Sequence, residues 1–314
     1  MRTLLAILLI CVFSTIILSL PIVQTRFAKY ATKELNKEFG TNIDIDRLRI
    51  SLISWDTSLR DVYVEDYQKD TLIYIKELTT SILSMRNLVN GRLEFGDVEL
   101  EGLNFKLITY KDAGQTNLDV FVAKLDDGKP RAPDKPPFYL TTADVYIENS
   151  QFRIIDENVQ KQETLNFKDL NIEASDFLIL GPEVSTRIEA LSFNSRIGVA
   201  MEKLSTSFKY TKQQMRFDSL EIKTPESNLF GNVVFDYRRE DLKDFMDKVN
   251  LSASFSESEV SLDEINLIYD EFGKGRNVYF SGNMHGVLND LEVSDLFLNT
   301  DNTGIRGDFH FRNL

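Results

Sequence analysis

Cysteine is almost missing. Cys11 is the only one in 314 residues, so no disulfide can form within the chain and no thiolate cluster can hold a metal. Histidine is nearly as scarce: His285 and His310 are the only two, and a zinc or di-iron centre would have to draw most of its ligands from carboxylates. No Walker-type phosphate loop, GxGxxG, HExxH or GxSxG pattern occurs, which removes the usual sequence marks of nucleotide, metalloprotease and esterase chemistry. Positive charge is short, with 36 Lys+Arg against 49 Asp+Glu and a net charge of −13. That balance argues against nucleic acid, where affinity comes largely from cations displacing counterions. What is abundant is apolar surface. A hydrophobic content of 42% with 11% aromatic is too high for a disordered chain and fits one large or two ordinary folded domains.

A single long uncharged run exists, the twenty residues Leu4–Val23. At 1.5 Å rise per residue it matches a hydrocarbon core of about 30 Å. It predicts a transmembrane anchor over residues 1–25 built on Leu4, Leu5, Ile7, Leu8, Leu9, Ile10, Val12, Phe13, Ile16, Ile17, Leu18 and Leu20. The run is longer than the apolar core of a cleaved signal peptide and lacks an A-x-A site, so the helix is expected to be retained. No lipobox surrounds Cys11. Beyond the span, Val23, Phe27, Ala31, Leu35 and Phe39 recur every four residues. They predict an amphipathic extension over 26–40, resting on anionic headgroups through Arg26, Lys29 and Lys33. Only Arg2 and the amino terminus precede the run; taken literally, the positive-inside rule would leave the body cytoplasmic, but with those cations on an amphipathic helix at the headgroups, charge alone does not settle the side.

Past Gly40 the signal is alternation with period two, as in Val62 and Val64, Val98 and Leu100, Leu103, Phe105 and Leu107, Leu220 and Ile222, and Phe309 and Phe311. This predicts a meander of short, half-buried strands. The phase slips at Gly96-Asp97 and Glu101-Gly102, as turns or bulges require. A unit of Asp, apolar, any residue, apolar recurs from Asp61, Asp97, Asp144, Asp169, Asp290 and Asp295, and reads as a turn followed by a strand start. Helical spacing is brief. Asn117–Leu125 puts Leu118, Phe121, Val122 and Leu125 on one face. Ser261 with Glu264 reads as a capping box, with Leu262, Ile265, Ile268, Tyr269 and Phe272 as its stripe and Gly273 at C′. Arg239 to Val249 is a weaker helix or turn. Four of the seven prolines fall between Asp126 and Pro137, marking a loop between a β region at 41–125 and a second at 138–314. So little helix cannot cover so many strands, and their apolar faces must cover one another or curl round a shared interior. The fold class expected is mainly β: an N-terminal transmembrane helix, then an elongated curved antiparallel sheet or groove with a few short helices.

Catalytic, cofactor-binding and metal-ligating residues are not found. His285 sits between glycines in what reads as a turn, and His310 alternates with Phe309 and Phe311, so both read as solvated. Trp55 and the eleven tyrosines fit strand packing better than a sugar-binding surface.

Several stretches, in order, resemble the amino-terminal part of the TamB proteins of Bacteroidota, in the AsmA-like superfamily. They are Pro21-Ile22-Val23-Gln24-Thr25, Thr41-Asn42-Ile43-Asp44-Ile45, Leu59-Arg60-Asp61-Val62-Tyr63-Val64-Glu65-Asp66, Asp70-Thr71-Leu72-Ile73-Tyr74-Ile75, Asn90-Gly91 and Val98-Glu99-Leu100-Glu101-Gly102-Leu103. Later pieces are Leu220-Glu221-Ile222-Lys223-Thr224-Pro225-Glu226-Ser227, Val260-Ser261-Leu262-Asp263-Glu264-Ile265, and Ser281 through Leu291. The resemblance implies an inner-membrane, single-pass protein with its body in the periplasm and a curved sheet with an apolar concave face. It implies envelope biogenesis: phospholipid transport between membranes, or assembly of outer-membrane proteins with a barrel partner of the Omp85 class reached through a region beyond residue 314. Proteins of that family run on for many hundreds of residues, so the chain is read as a fragment. On this reading Phe95, Val98, Leu100, Phe105, Leu107, Phe167, Ile172, Phe208, Ile222, Phe235 and Phe255 line a trough for acyl chains. The competing readings are a membrane-tethered scaffold with a closed core and an envelope glycosidase using two carboxylates brought together by the fold.

Overall fold

The computed structural model describes residues 19–125, 137–159, 163–196, 198–267, 273–300 and 303–312. The expected span from Leu4 to Leu18 lies outside them, as do residues 126–136 of the proline-rich loop and Ile268, Tyr269 and Phe272. No helix among the described residues is long and apolar enough to cross a membrane.

The elements run α1 (Pro21–Phe39), β1 (Asn42–Ile50), β2 (Asp56–Glu65), β3 (Thr71–Ile82), α2 (Met85–Val89), β4 (Arg92–Thr109), α3 (Asn117–Leu125), β5 (Tyr139–Asp156), β6 (Glu163–Leu180), β7 (Glu183–Ser195), β8 (Ala200–Tyr210), β9 (Gln214–Lys223) and β10 (Asn228–Asp236). A 3-10 turn at Arg239–Asp244 then leads into α4 (Phe245–Lys248), β11 (Asn250–Ser261), α5 (Leu262–Ile265), β12 (Asn277–Val287), β13 (Asp290–Thr300) and β14 (Thr303–Arg312). The strands form one 14-stranded sheet in sequence order, from β1 to β14 without closure. The protein is thus mainly β with few short helices. It forms two compact units, Met1–Pro136 with Val145–Leu170 and Pro137–Asp144 with Asn171–Leu314. The division falls between Pro136 and Pro137, at the end of the proline-rich loop, and again inside β5 and β6.

Many of the strands are not short. β4, β5 and β6 have 18 residues each, because most phase slips are irregularities inside a strand. Asp61, Asp169 and Asp295 lie within β2, β6 and β13 with left-handed φ of 50°, 51° and 51°, a conformation that a short polar side chain tolerates. Asp97 and Asp144 are also internal, and only Asp290 of the six opens a strand. The expected turn-then-strand unit is corrected to a strand with a kink.

The expected capping box is also corrected. Ser261 makes no side-chain cap, and α5 ends at Ile265. Its two members are taken by the β9–β10 turn: Ser261 Oγ donates to Glu226 Oε2 at 2.7 Å, while Glu264 Oε2 accepts from Thr224 Oγ1 at 2.5 Å and from Ser227 Oγ. Fixing a buried turn removes them from local capping. α3 spans the expected residues, with Leu118 and Phe121 half-buried but Val122 exposed. His285 lies inside β12 rather than in a turn.

In the first unit α1 covers the free edge of β1, and it does so with polar side chains. Gln24 Nε2 donates to the Ile50 carbonyl at 2.7 Å while its Oε1 accepts from the Ile50 N–H at 2.8 Å. Asn36 makes the same pair with Ile43, both bonds at 2.8 Å, and Thr25 Oγ1 accepts from the Leu48 N–H at 3.2 Å. Each side-chain amide stands in for the peptide of a neighbouring strand, which satisfies groups that an edge would leave open. Gln24, Ala28 and Thr32 are buried at spacing four. Of the expected apolar stripe, Val23 is half-buried, while Phe27 is 61% exposed and Ala31 is also exposed.

Candidate functional site

Residues directly opposite each other in an antiparallel pair share a side of the sheet, so register converts strands into rows. In the second unit one row runs Phe208, Phe217, Val233, Ala253, Met284, Val293, Phe309 from β8 to β14. The next runs Tyr210, Met215, Phe235, Leu251, Gly286, Leu291, Phe311. These rows are two residues apart on every strand and therefore lie on the same face. Leu220, Val233, Leu251, Ala253, Leu291 and Val293 are its buried centre, with Leu204, Phe217, Ile222, Phe235, Phe255, Met284 and Leu296 packed half-buried against it. Phe208 meets Phe217 at 5.1 Å between ring centres, and Phe255 meets Phe280 at 5.6 Å.

A third row reads Leu220, Gly231, Phe255, then Gly282 beside Leu296, then Gly307. Large residue and glycine alternate strand by strand. The large members belong to strands that carry an inserted residue with left-handed backbone, Ser219 in β9, Glu257 in β11 and Asp295 in β13, each at a register shift. These are β-bulges, which bend and twist the strand locally. Two are stapled the same way: the Ser219 N–H donates to Asn232 Oδ1 and the Asp295 N–H to Asp308 Oδ1, both at 2.9 Å. The bulge at Ser219 puts Phe217 and Leu220 on one face, three positions apart.

The first unit has rows too. Ile43, Val64, Ile73 and Phe105 align across β1 to β4, as do Leu48, Leu59, Leu78 and Leu100. Phe105, Phe152 and Phe167 form a ladder of rings at 5.4 and 6.1 Å.

The residues expected to line a trough are thus placed as follows. Phe208, Ile222, Phe235 and Phe255 meet on the apolar face of the second unit, and Ile172 lies half-buried on β6. In the first unit Phe105 and Phe167 are joined by the ring ladder, Leu100 and Val98 sit opposite Leu78 and Thr80, Phe95 opposite Ile82, and Leu107 is half-buried on β4. Sequence reasoning passed over Phe152, Phe217, Leu251, Met284 and Val293. Alternation around Met215 and Phe217 was available, but the bulge at Ser219 breaks its phase.

The other face carries ion pairs along with the exposed rings of Phe230 and Phe297. Lys203 pairs with Glu221 at 2.7 Å, Arg216 with Asp218 at 3.0 Å and Lys209 with Glu183 at 3.5 Å. The Lys203 ammonium holds the Glu221 carboxyl below the usual carboxylate range, with Ser205 adding a hydrogen bond and partial burial opposing. A depressed folded pKa stabilises the fold above the unfolded carboxylate value of about 4.3, and that contribution is lost as pH falls through the folded value. Wild type should therefore melt above Glu221→Gln at neutral pH by about 0.5 kcal/mol, the modest size of a solvated pair, and the gap should close on acidification. A gap unchanged in acid counts against the pair.

Among the described residues no group of His, Cys, Asp and Glu is placed to hold a metal. His310 is held by Asp290 at 2.5 Å, and His285 Nδ1 lies 3.1 Å from Ser252 Oγ. The chemistry available is apolar contact: a broad hydrocarbon face with a buried centre and a half-buried surround, and no second sheet over it among the described residues. α4 reaches it, where Phe245 packs on Phe235 at 5.4 Å. The chain matches no protein-family model, no curated protein and no solved structure.

Proposed function

We propose that this is an envelope-biogenesis protein of the TamB type, tethered to the inner membrane by Leu4–Val23 with its body in the periplasm, and that its apolar sheet faces carry phospholipid acyl chains through water. No catalysis and no cofactor are involved. The observation that supports the reading is the set of rows in the second unit, where Phe208, Phe217, Phe235 and Phe255 are half-buried on a face that no second sheet covers among the described residues. Hydrocarbon gains about 0.8 kcal/mol for each CH₂ it withdraws from water. A face this wide can therefore hold a chain without a charged or hydrogen-bonding anchor, and the rows give it a direction across the strands.

The test is lipid content. The full chain, extracted in mild detergent, should carry phospholipid measurable by mass spectrometry. Phe208→Asp with Phe235→Asp should reduce it at least tenfold, because an uncompensated carboxylate against an acyl chain costs well over the ~1.4 kcal/mol that a decade represents. Unchanged lipid with an intact circular dichroism spectrum rejects the reading and leaves a tethered scaffold.

A further inference from the structure

We propose that the end of the first unit where β1 turns into β2 is a second membrane contact, seated in the headgroup layer of the bilayer that Leu4–Val23 spans. The inference rests on the anchor reading above and adds a surface and an orientation to it.

Antiparallel pairing gathers three connections at this end: the start of α1, the turn Ser51–Trp55 and the segment from Leu83 through α2. Gln24 on the first turn of α1 is bonded to Ile50, the last residue of β1. The Ile82 N–H donates to the Trp55 carbonyl at 3.1 Å. Ser19, Ile50, Ile53, Asp56, Ser81 and Asp97 line one recess. Large apolar side chains stand out into solvent here, Ile53 by 93%, Ile22 by 71%, Leu83 by 63% and Leu20 by 48%. The turn at the opposite end of the same strands, Asp66–Asp70, exposes none.

Ile53 is held out by a rigid turn. The Ser51 N–H donates to the Asp56 carbonyl at 2.8 Å, the Trp55 N–H to the Ser51 carbonyl at 2.9 Å, and Ser54 Oγ to Asp56 at 2.5 Å. Trp55 closes it with a left-handed φ of 61°, unfavourable for a bulky side chain. A fixed apolar tip with exposed cations nearby suits a bilayer interface. Arg26, Arg49 and Arg86 are exposed on α1, β1 and α2, and Asp56, Asp97 and Glu99 are exposed on β2 and β4 at the same end, so the contact rests on the apolar tips, with the arginines free to meet phosphate oxygens, and not on net charge. The uncharged run ends in the first turn of α1, so a bilayer that holds the run lies next to these tips.

The experiment uses the full chain with Cys11→Ser, carrying one environment-sensitive fluorophore at Ile53→Cys, Leu83→Cys, Asp112→Cys or Ile16→Cys, in nanodiscs of phosphatidylethanolamine and phosphatidylglycerol. Asp112 lies in the turn after β4, at the far end. Quenching by lipid-borne doxyl groups should be several-fold stronger at Ile53 and Leu83 than at Asp112, with a shallow quencher outdoing a deep one; at Ile16 the deep quencher should dominate. Quenching at Ile16 with Ile53 no different from Asp112 overturns the second contact and leaves the anchor standing. No quenching at Ile16 overturns both.

Discussion

Alanine at Gly231 should cost about 3 kcal/mol of stability, although it adds one methyl group to a strand of good β formers. The reason is backbone proximity. A Cβ built there would lie 2.3 Å from the Ser254 carbonyl oxygen and 2.9 Å from Phe255 Cδ1, and the first of these belongs to the adjacent strand, which cannot rotate away. Relief requires β10 and β11 to part, which breaks the ladder between Gly231 and Phe255 and unseats the ring that covers the glycine. The backbone at Gly231 does not require positive φ, so the effect is steric alone. Gly114→Ala, where nothing lies within 4 Å and φ is ordinary, is the matched control and should be neutral or slightly stabilising. Urea denaturation of the two variants decides the matter, and equal midpoints would refute the packing described for the third row.

That row explains how far the sequence could be read. Mainly β architecture followed from period-two alternation, and the helix at Asn117–Leu125 from its spacing. Phe208, Ile222, Phe235 and Phe255 could be placed on one apolar face from sequence because each stands in an unbroken alternating stretch. Phe217 was not, since Ser219 takes a left-handed backbone that serine does not advertise. The glycines did carry a signal. Gly231-Asn232-Val233-Val234-Phe235, Gly282-Asn283-Met284-His285-Gly286 and Gly307-Asp308-Phe309-His310-Phe311 share one pattern, and its glycine marks every second strand of the third row. Gly282 and Gly286, which in sequence flank what reads as a turn, lie inside β12, and Gly231 and Gly282 are places where a neighbouring strand comes close. The inward polar stripe of α1 was hidden for a different reason. A helix beside a sheet edge satisfies peptide groups instead of burying hydrocarbon, and amphipathicity alone points it the wrong way round.

Asp66→Ala should be the most damaging single change in the first unit, at about 3–5 kcal/mol, the range for removing one partner of a buried charged network. Asp66 is 6% exposed and follows β2 as an acceptor hub. Its carboxylate accepts from Tyr110 Oη at 2.6 Å, from Asn117 Nδ2 at 3.1 Å, and from the N–H groups of Gln68 and Asp70 at 2.8 and 3.0 Å. Asn117, itself fully buried, passes the connection on, accepting from the Ile108 N–H at 2.9 Å and donating to the Lys106 carbonyl at 3.1 Å. Burial and the Asp66 charge together push the Tyr110 hydroxyl far above its usual range, so it stays a donor at any working pH. Removing the carboxylate strands these donors where water has little access, and loosens the β2–β3 turn, the end of β4 and the start of α3 together. Asp66→Asn keeps the shape and one acceptor oxygen, and should fall between wild type and alanine. Tyr110→Phe withdraws one donor along with its need, so the double variant Asp66→Ala, Tyr110→Phe should be more stable than the sum of the single effects implies, by about 1–2 kcal/mol. Strict additivity in that cycle would mean that the short bond contributes nothing and that the three elements are held together by their apolar contacts instead.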